Sequence, residues 1–235
     1  MANDDRFRES TRDRLRRLRL FGELEDEALD RLAGLSRILH LERKQNLFAE
    51  GEPYRGIFVV LDGLVVVYKL STDGRMLILE VCRPGDAFAW GPLFEQEDAG
   101  YPASARATRA SEILFLPKQA FTPFLKRHPE VAWELLKDSA ARMKELNLRL
   151  EGVTLREVSS RVAQYLLREL EAGGVAGDAQ PELELPLTKG SIASYLGTVH
   201  ETLSRTFAKL IRDKVIAVHG SRVKILDPKK LERLL

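Results

Sequence analysis

The 235 residues, 44% of them hydrophobic and with a net charge of only +2, have the composition of a globular protein with chain enough for one large domain or two ordinary ones. A single cysteine, Cys82, excludes an intrachain disulfide and a four-cysteine zinc or iron–sulfur site. Charges are scattered through residues 1–21 and no apolar run approaches about eighteen residues, so neither a signal peptide nor a membrane span is expected and the chain reads as cytoplasmic.

Residues 1–35 read as helical, with Leu15, Leu18 and Phe21 at helical spacing and a second stripe at Leu24, Ala28, Leu32 and Leu35. From Ile38 to Leu116 the pattern changes to short strands, among them GIFVVLDG, LVVVYKL, RMLILEVC and EILFLP. Glu50-Gly51, Asp62-Gly63, Asp73-Gly74 and Pro84-Gly85 punctuate them. Asp73-Gly74 signals a hairpin, because both residues accept positive φ. Many short strands at regular spacing predict a compact barrel or roll.

At His128 the helical period returns. Leu136, Ser139, Met143, Leu146, Leu150 and Val153 alternate steps of three and four, a seam along a helix of about six turns. A stripe so narrow and long suits a partner helix; packing on the chain's own roll is the alternative. Gly152 and Thr154 mark a break, and a new amphipathic helix is expected near Leu155.

Residues 171–182 read as a glycine- and alanine-rich loop, followed by LELPL as a short strand. Thr188 caps a helix over Lys189–Leu196, Gly197 turns the chain, and a second helix covers about His200–Arg212. VIAVHGSRVKIL follows as a two-stranded hairpin with His219-Gly220-Ser221 at its tip. This order describes a winged helix-turn-helix. From Thr188 onward ten lysines and arginines face four acids, a charge surplus suited to a phosphate backbone, although a solvated basic face has the same composition.

The stretch TKGSIASYLGTVHETLSRTFAKLIRDKVIAVHGSRVKIL closely resembles the cyclic-AMP receptor protein / fumarate–nitrate regulator (Crp/Fnr) family of transcription factors. Gly51, Gly63, Gly74 and Gly85 are similar in spacing to the family's turn glycines, and GDAFAWGPLF sits where the family has its effector segment. The resemblance implies an α+β fold. Its parts are an N-terminal double-stranded β-helix, or β-roll, with flanking helices over 1–127, a dimerisation helix over 128–153, and a winged helix-turn-helix over 154–235. The implied protein is a homodimeric regulator of double-stranded DNA and not an enzyme.

Glu201, Ser204 and Arg205 leave one face of the second helix near the end that enters the major groove. Arg205 suits guanine O6 and N7, Glu201 suits cytosine N4, and Ser204 is small and adaptable. The family's E-x-x-S-R pattern implies a palindromic, TTGAT-like site. Readers of TGTGA have arginine where this chain has His200 and glycine where it has Ser204, so His200 fits neither pattern and leaves the outer base open. A plain Glu201–Arg205 ion pair is the bland alternative. Thr188, Lys189, Lys209, Arg222 and Lys224 are expected at phosphates. The family places contact with RNA polymerase near residues 171–180, where a simple connector would look the same.

The effector segment lacks what a cyclic nucleotide needs, namely an arginine and hydroxyl for the phosphate and a carboxylate for the ribose. The resemblance puts Ala89 at a glycine, Trp90 at the carboxylate, Gly91 beside it, Tyr101 at the arginine and Pro102 at the serine. Cyclic AMP is therefore not expected, unless Arg106 or Arg109 reaches the pocket through a register shift. The carbon-monoxide branch has Cys and His where this chain has Ala89 and Gly91. The YPASA segment resembles members proposed to sense nitric oxide through haem, for which His40, His128 or Cys82 would be the ligands here; each also reads as an ordinary surface or core residue. Phe88, Trp90, Phe94 and Tyr101 either line an apolar pocket or fill it. A cupin-like metal enzyme would need clustered histidines, and His40 is the only one before His128.

Overall fold

The computed structural model describes residues 10–95, 100–173 and 181–235. The described residues fall into two compact units, those within 1–69 and 79–141 and those within 70–78 and 142–235. Among the described residues no helix is long and apolar enough to cross a membrane.

In the first unit, α1 (Thr11–Arg17) begins at Ser10, whose hydroxyl accepts from the Asp13 N–H at 3.1 Å and satisfies an orphan donor of the first turn. The leucine spacing predicts a helix as far as Phe21, but α1 stops at Arg17. Three successive turns follow, with Leu18 N–H donating to Leu15, Phe21 to Leu18 and Leu24 to Phe21 at 2.9–3.1 Å. Repeated three-residue steps stack side chains as a helix does. All four apolar residues are buried on one side, together with Leu29 and Leu32 of α2 (Asp26–Leu35).

Eight strands follow: β1 (Arg37–Leu41), β2 (Asn46–Phe48), β3 (Gly56–Asp62), β4 (Val65–Leu70), β5 (Met76–Cys82), β6 (Ala87–Phe88), β7 (Ser104–Ala107) and β8 (Ser111–Pro117). They form two four-stranded sheets, ordered β1-β8-β3-β6 and β2-β7-β4-β5. The first sheet is covered on both faces. Ile57 and Val59 of β3, with Leu114 and Leu116 of β8, join the core built on the helices. Phe58, Val60 and Ile113 point the other way, into the space between the sheets. Two-sided burial explains why GIFVV is continuously apolar instead of alternating.

The turns show which glycines are required. Of Asp73 and Gly74 only Gly74 takes positive φ, 80°, so the expectation of two positive-φ residues is corrected. Ser71 N–H to Arg75 O and Gly74 N–H to Ser71 O, both 2.9 Å, close a three-residue loop with its glycine left-handed. Gly63, at φ 99°, has a further reason to be glycine. A Cβ there would lie 2.5 Å from Ser111 Cα, and the same serine accepts from the Leu64 N–H at 3.0 Å. The unit continues with α3 (Lys118–Arg127) and enters α4 (Pro129–Leu155).

The helix α4 does not break at Gly152 or Thr154. Gly152 is buried in a helical turn, and Thr154 Oγ1 donates back to Leu150 O at 2.8 Å. A mid-helix glycine costs about 1 kcal/mol, which packing of this order readily offsets. The chain turns instead at Arg156–Glu157, and α5 (Val158–Ala172) buries Val162, Ala163, Leu166 and Leu170.

The second unit continues with β9 (Glu182–Glu184), α6 (Lys189–Tyr195), α7 (His200–Arg212), β10 (Ile216–His219), β11 (Arg222–Ile225) and α8 (Pro228–Glu232). The expected two-stranded hairpin is a three-stranded sheet, because β9 pairs with β11 through Leu183↔Val223. The helix α8, capped by Asp227, has no counterpart in the sequence reading.

Gly63→Ala and Gly74→Ala separate steric clash from backbone strain. Gly74 has open space around it, so its substitution should cost only the left-handed penalty of about 1–2 kcal/mol. Gly63→Ala must also displace Ser111 and should cost about 3 kcal/mol or more. Urea unfolding of both variants checks the difference.

Candidate nucleic-acid interface and effector segment

The helix-turn-helix is α6, a turn at Gly197 and α7. Thr188 Oγ1 accepts from the Ser191 N–H at 3.2 Å and caps α6. Gly197 takes φ 64°, and a Cβ there would come within 3.0 Å of Val153 Cγ2. The guanidinium of Arg161, from α5, donates to the carbonyls of Leu196 and Gly197, the acceptors that the end of a helix leaves open. Burial pushes the Arg161 pKa down. Tyr195 is held as well. Its hydroxyl donates to Glu145 Oε1 at 2.6 Å, Arg149 donates to its carbonyl at 3.1 Å, and the Arg149 guanidinium lies 4.2 Å from its ring centroid. Neither Arg161 nor Arg149 was identified from sequence. The available signal was Arg161 beside Val162, Ala163, Tyr165 and Leu166, inside a helix that must bury that face.

On α7 the apolar residues Leu203, Phe207 and Leu210 are buried, and the opposite face is charged. Glu201 and Arg205 stand one turn apart, 2.5 Å from each other, with side chains 72% and 78% exposed. The ion pair read as an alternative is thus present, and it presents both groups to solvent. Ser204 is half-buried beside them and His200 is exposed at the first turn. Of the expected phosphate residues, Lys209 is exposed on α7, and Arg222 and Lys224 flank the buried Val223 on β11. Lys189 Nζ lies 5.5 Å from the Phe207 ring centroid.

The residues of the expected seam on α4 lie open. Leu136, Met143, Leu146, Leu150 and Val153 are each more than half exposed, while Ser139 donates to Leu135 O at 2.7 Å. Trp133, 58% exposed, extends the stripe and was not part of the sequence reading. The segment 171–180 falls partly on the end of α5; residues 174–180 lie outside the described residues.

The effector segment divides. Phe88 and Tyr101 are buried together in the space between the sheets, where Tyr101 meets Phe48 and Phe58. Trp90 packs against the core built on the helices. Gly91 begins a short 3-10 turn to Phe94, which is exposed, as is Pro102. Ala89 takes φ 58°. That is a glycine conformation at the position where the family resemblance expects glycine.

The two arginines that a register shift would bring to a phosphate site are engaged elsewhere. Arg106 alternates with the inward-facing Ala105 and Ala107, and its guanidinium lies 5.1 Å from the Tyr68 ring centroid. Arg109 donates to Gly63 O at 3.0 Å. The hydroxyl of Tyr54 is buried without a partner among the described residues, and burial pushes its pKa up. A neutral donor of this kind does not match a phosphodiester charge.

The residues suggested for haem do not fit the group. His40 is 73% exposed on its side chain and lies 3.4 Å from Glu112. The His128 ring stacks on Phe124 and its Nδ1 lies 3.0 Å from Glu130. Cys82 is buried, and burial together with Asp86 and Asp138 pushes its thiol up, away from the thiolate a metal requires. Among the described residues no group of three or more His, Cys, Asp or Glu is placed to hold a metal ion.

Comparison with known proteins bears on both units. Residues 38–128 match the cyclic nucleotide-binding domain family, and residues 160–234 match the Crp-like helix-turn-helix domain. The chain is 30% identical over 203 residues to the nitrogen fixation regulation protein FixK of Bradyrhizobium diazoefficiens, covering 85% of this chain and 82% of that one. It is 28% identical over 231 residues to the transcriptional activatory protein AadR of Rhodopseudomonas palustris, covering 97% and 93%. The solved structure of FixK2 from Bradyrhizobium japonicum shares the fold, with a TM-score of 0.72 at 23% identity over 85% of this chain and 96% of that one.

The grip of Arg161 on the turn gives a direct expectation. Arg161→Ala leaves the Leu196 and Gly197 carbonyls without their donor and should cost about 1–3 kcal/mol in urea unfolding. Arg161→Lys should recover only part, because one ammonium lacks the guanidinium fork. Equal stability of the wild type and the alanine variant would show that the turn holds itself.

Proposed function

Because the chain belongs to the Crp/Fnr family, whose regulators bind DNA as dimers, we propose that it binds a palindromic, TTGAT-like site and answers to no cyclic nucleotide. Glu201, Ser204 and Arg205 are the proposed base readers, with His200 facing the outer base pair. The observation that carries this reading is the exposed Glu201–Arg205 pair on a helix whose other face is locked into the unit. Bound at the groove, the arginine exchanges its carboxylate for guanine and the glutamate exchanges its guanidinium for cytosine. Thr188, Lys189, Lys209, Arg222 and Lys224 would set the register on phosphates.

The exposed stripe on α4 is the proposed dimer seam. Burying one such leucine or methionine is worth about 1.5–3 kcal/mol, and a two-fold seam counts each residue twice. The protein is proposed to work in the cytoplasm, with RNA polymerase as a further partner near residues 171–180. The replacement of the arginine and carboxylate by Tyr101 and Trp90 supports an input other than cyclic AMP, since an unpaired phosphate charge taken from water costs several kcal/mol.

Two experiments test the reading. Arg205→Ala should cost about 1–3 kcal/mol at a specific site and relax the preference at one base pair, whereas Lys209→Ala should weaken all sequences alike and lower the salt slope by about one. Footprinting and salt titration distinguish them; unchanged sequence preference in the Arg205 variant would remove it from the base readers. Leu146→Glu should place an unpaired charge in the seam and yield monomers by light scattering. A dimeric variant would move the interface elsewhere.

A further inference from the structure

The space between the sheets is filled by aromatic rings in mutual contact. Phe48 lies 3.8 Å from Tyr101 at an interplanar angle of 13°, and 5.4 Å from Phe58. Phe58 lies 5.5 Å from Phe88, and Tyr54 meets the Tyr101 ring edge-on at 5.1 Å. Phe48, Phe58, Phe88 and Tyr101 are each 5% exposed or less. The strand opposite is cut back to receive them: β7 turns Ala105 and Ala107 inward, with Ala105 directly across from Phe48.

Tyr101 is fastened at both ends. Its N–H donates to Glu52 O and its carbonyl accepts from the Gly51 N–H, both at 2.9 Å. Its hydroxyl accepts from the Arg55 N–H at 3.2 Å and donates to Gly56 O at 3.3 Å. One side chain thereby joins the approach to β7 with the start of β3. Rings in parallel contact at 3.8 Å leave no room for an atom between them.

We propose that Tyr101 is a built-in occupant of the roll, taking the volume and the hydrogen bonds of a diffusible effector, so that this regulator binds its DNA site with no small molecule in the roll. The inference rests on the DNA-binding reading above and goes beyond the exclusion of cyclic nucleotides. It assigns the role of ligand to a residue of the chain itself.

The test compares untreated protein with protein unfolded in guanidinium chloride, dialysed and refolded. Both are titrated against a palindromic TTGAT-type duplex by fluorescence anisotropy. Dissociation constants should agree within about twofold and should not respond to cyclic AMP or haemin. Native mass spectrometry of untreated protein should give the mass of two polypeptides and nothing more. Tyr101→Ala should lower Tm by about 10 °C and open an apolar cavity that p-cresol, the tyrosine side chain as a free molecule, refills. Added p-cresol should raise Tm in that variant and not in the wild type, and Tyr101→Phe, which keeps the stack, should fall between them.

A refolded chain about tenfold or more weaker than the untreated one would overturn the proposal, as would a bound small-molecule mass or a p-cresol shift in the wild type. If Tyr101→Ala does not fold, the two wild-type measurements decide. Untreated protein that binds no palindromic duplex would instead refute the DNA-binding reading.

Discussion

The two-sided burial of β3 and β8 is the constraint on which the first unit depends. Because side chains alternate along a strand, each strand supplies both cores, and a one-residue slip would exchange Phe58 for Val59 and Ile113 for Leu114. The helical core would then receive the Phe58 ring, and the space between the sheets would lose it. Gly63 and Ser111 fasten the β3–β8 register where β4 begins, since any side chain at 63 would collide with residue 111. The turn, the helices α1 to α3 and the aromatic filling are consequences of one pairing.

Ala89 shows how the effector segment has been adapted to this interior. Its φ of 58° is the left-handed conformation that costs an alanine about 1–2 kcal/mol. The neighbouring Phe88 is buried on one side of the sheet system and Trp90, half-buried, packs on the other, so the segment crosses between cores at the strained residue. Strain at one residue is small beside the burial of the Phe88 ring and the packing of Trp90.

Much of this was legible in the sequence, for physical reasons that differ by element. The strands could be read because β-branched runs between glycine turns have few alternatives, and α7 because its apolar residues recur at the helical period. The end of α1 could not be read, since turns of three residues reproduce helical spacing. Gly152 misleads because local propensity is weak beside tertiary packing. The pairing of β9 with β11, the meeting of Phe48 with Tyr101, and the reach of Arg161 to Leu196 all join residues far apart in the chain. Composition carries no record of such contacts. In the candidate interface the sequence marked the charged residues, while the groups that hold the turn in place became visible only with the fold.

The Glu201–Arg205 pair also bears on how such a protein would search a genome. A free arginine on the exposed face of a recognition helix would attract every phosphate alike, adding affinity for the whole chromosome and slowing each dissociation. With a carboxylate beside it, the guanidinium would be largely neutralised while the protein slid on arbitrary sequence, and would displace little of the cation atmosphere. Only a base pair that accepts both partners repays breaking the pair. Discrimination would then arise as much from weak residence on wrong sites as from strong residence on the right one. The mark of such a design is a nonspecific salt slope smaller than the count of basic residues on that face implies.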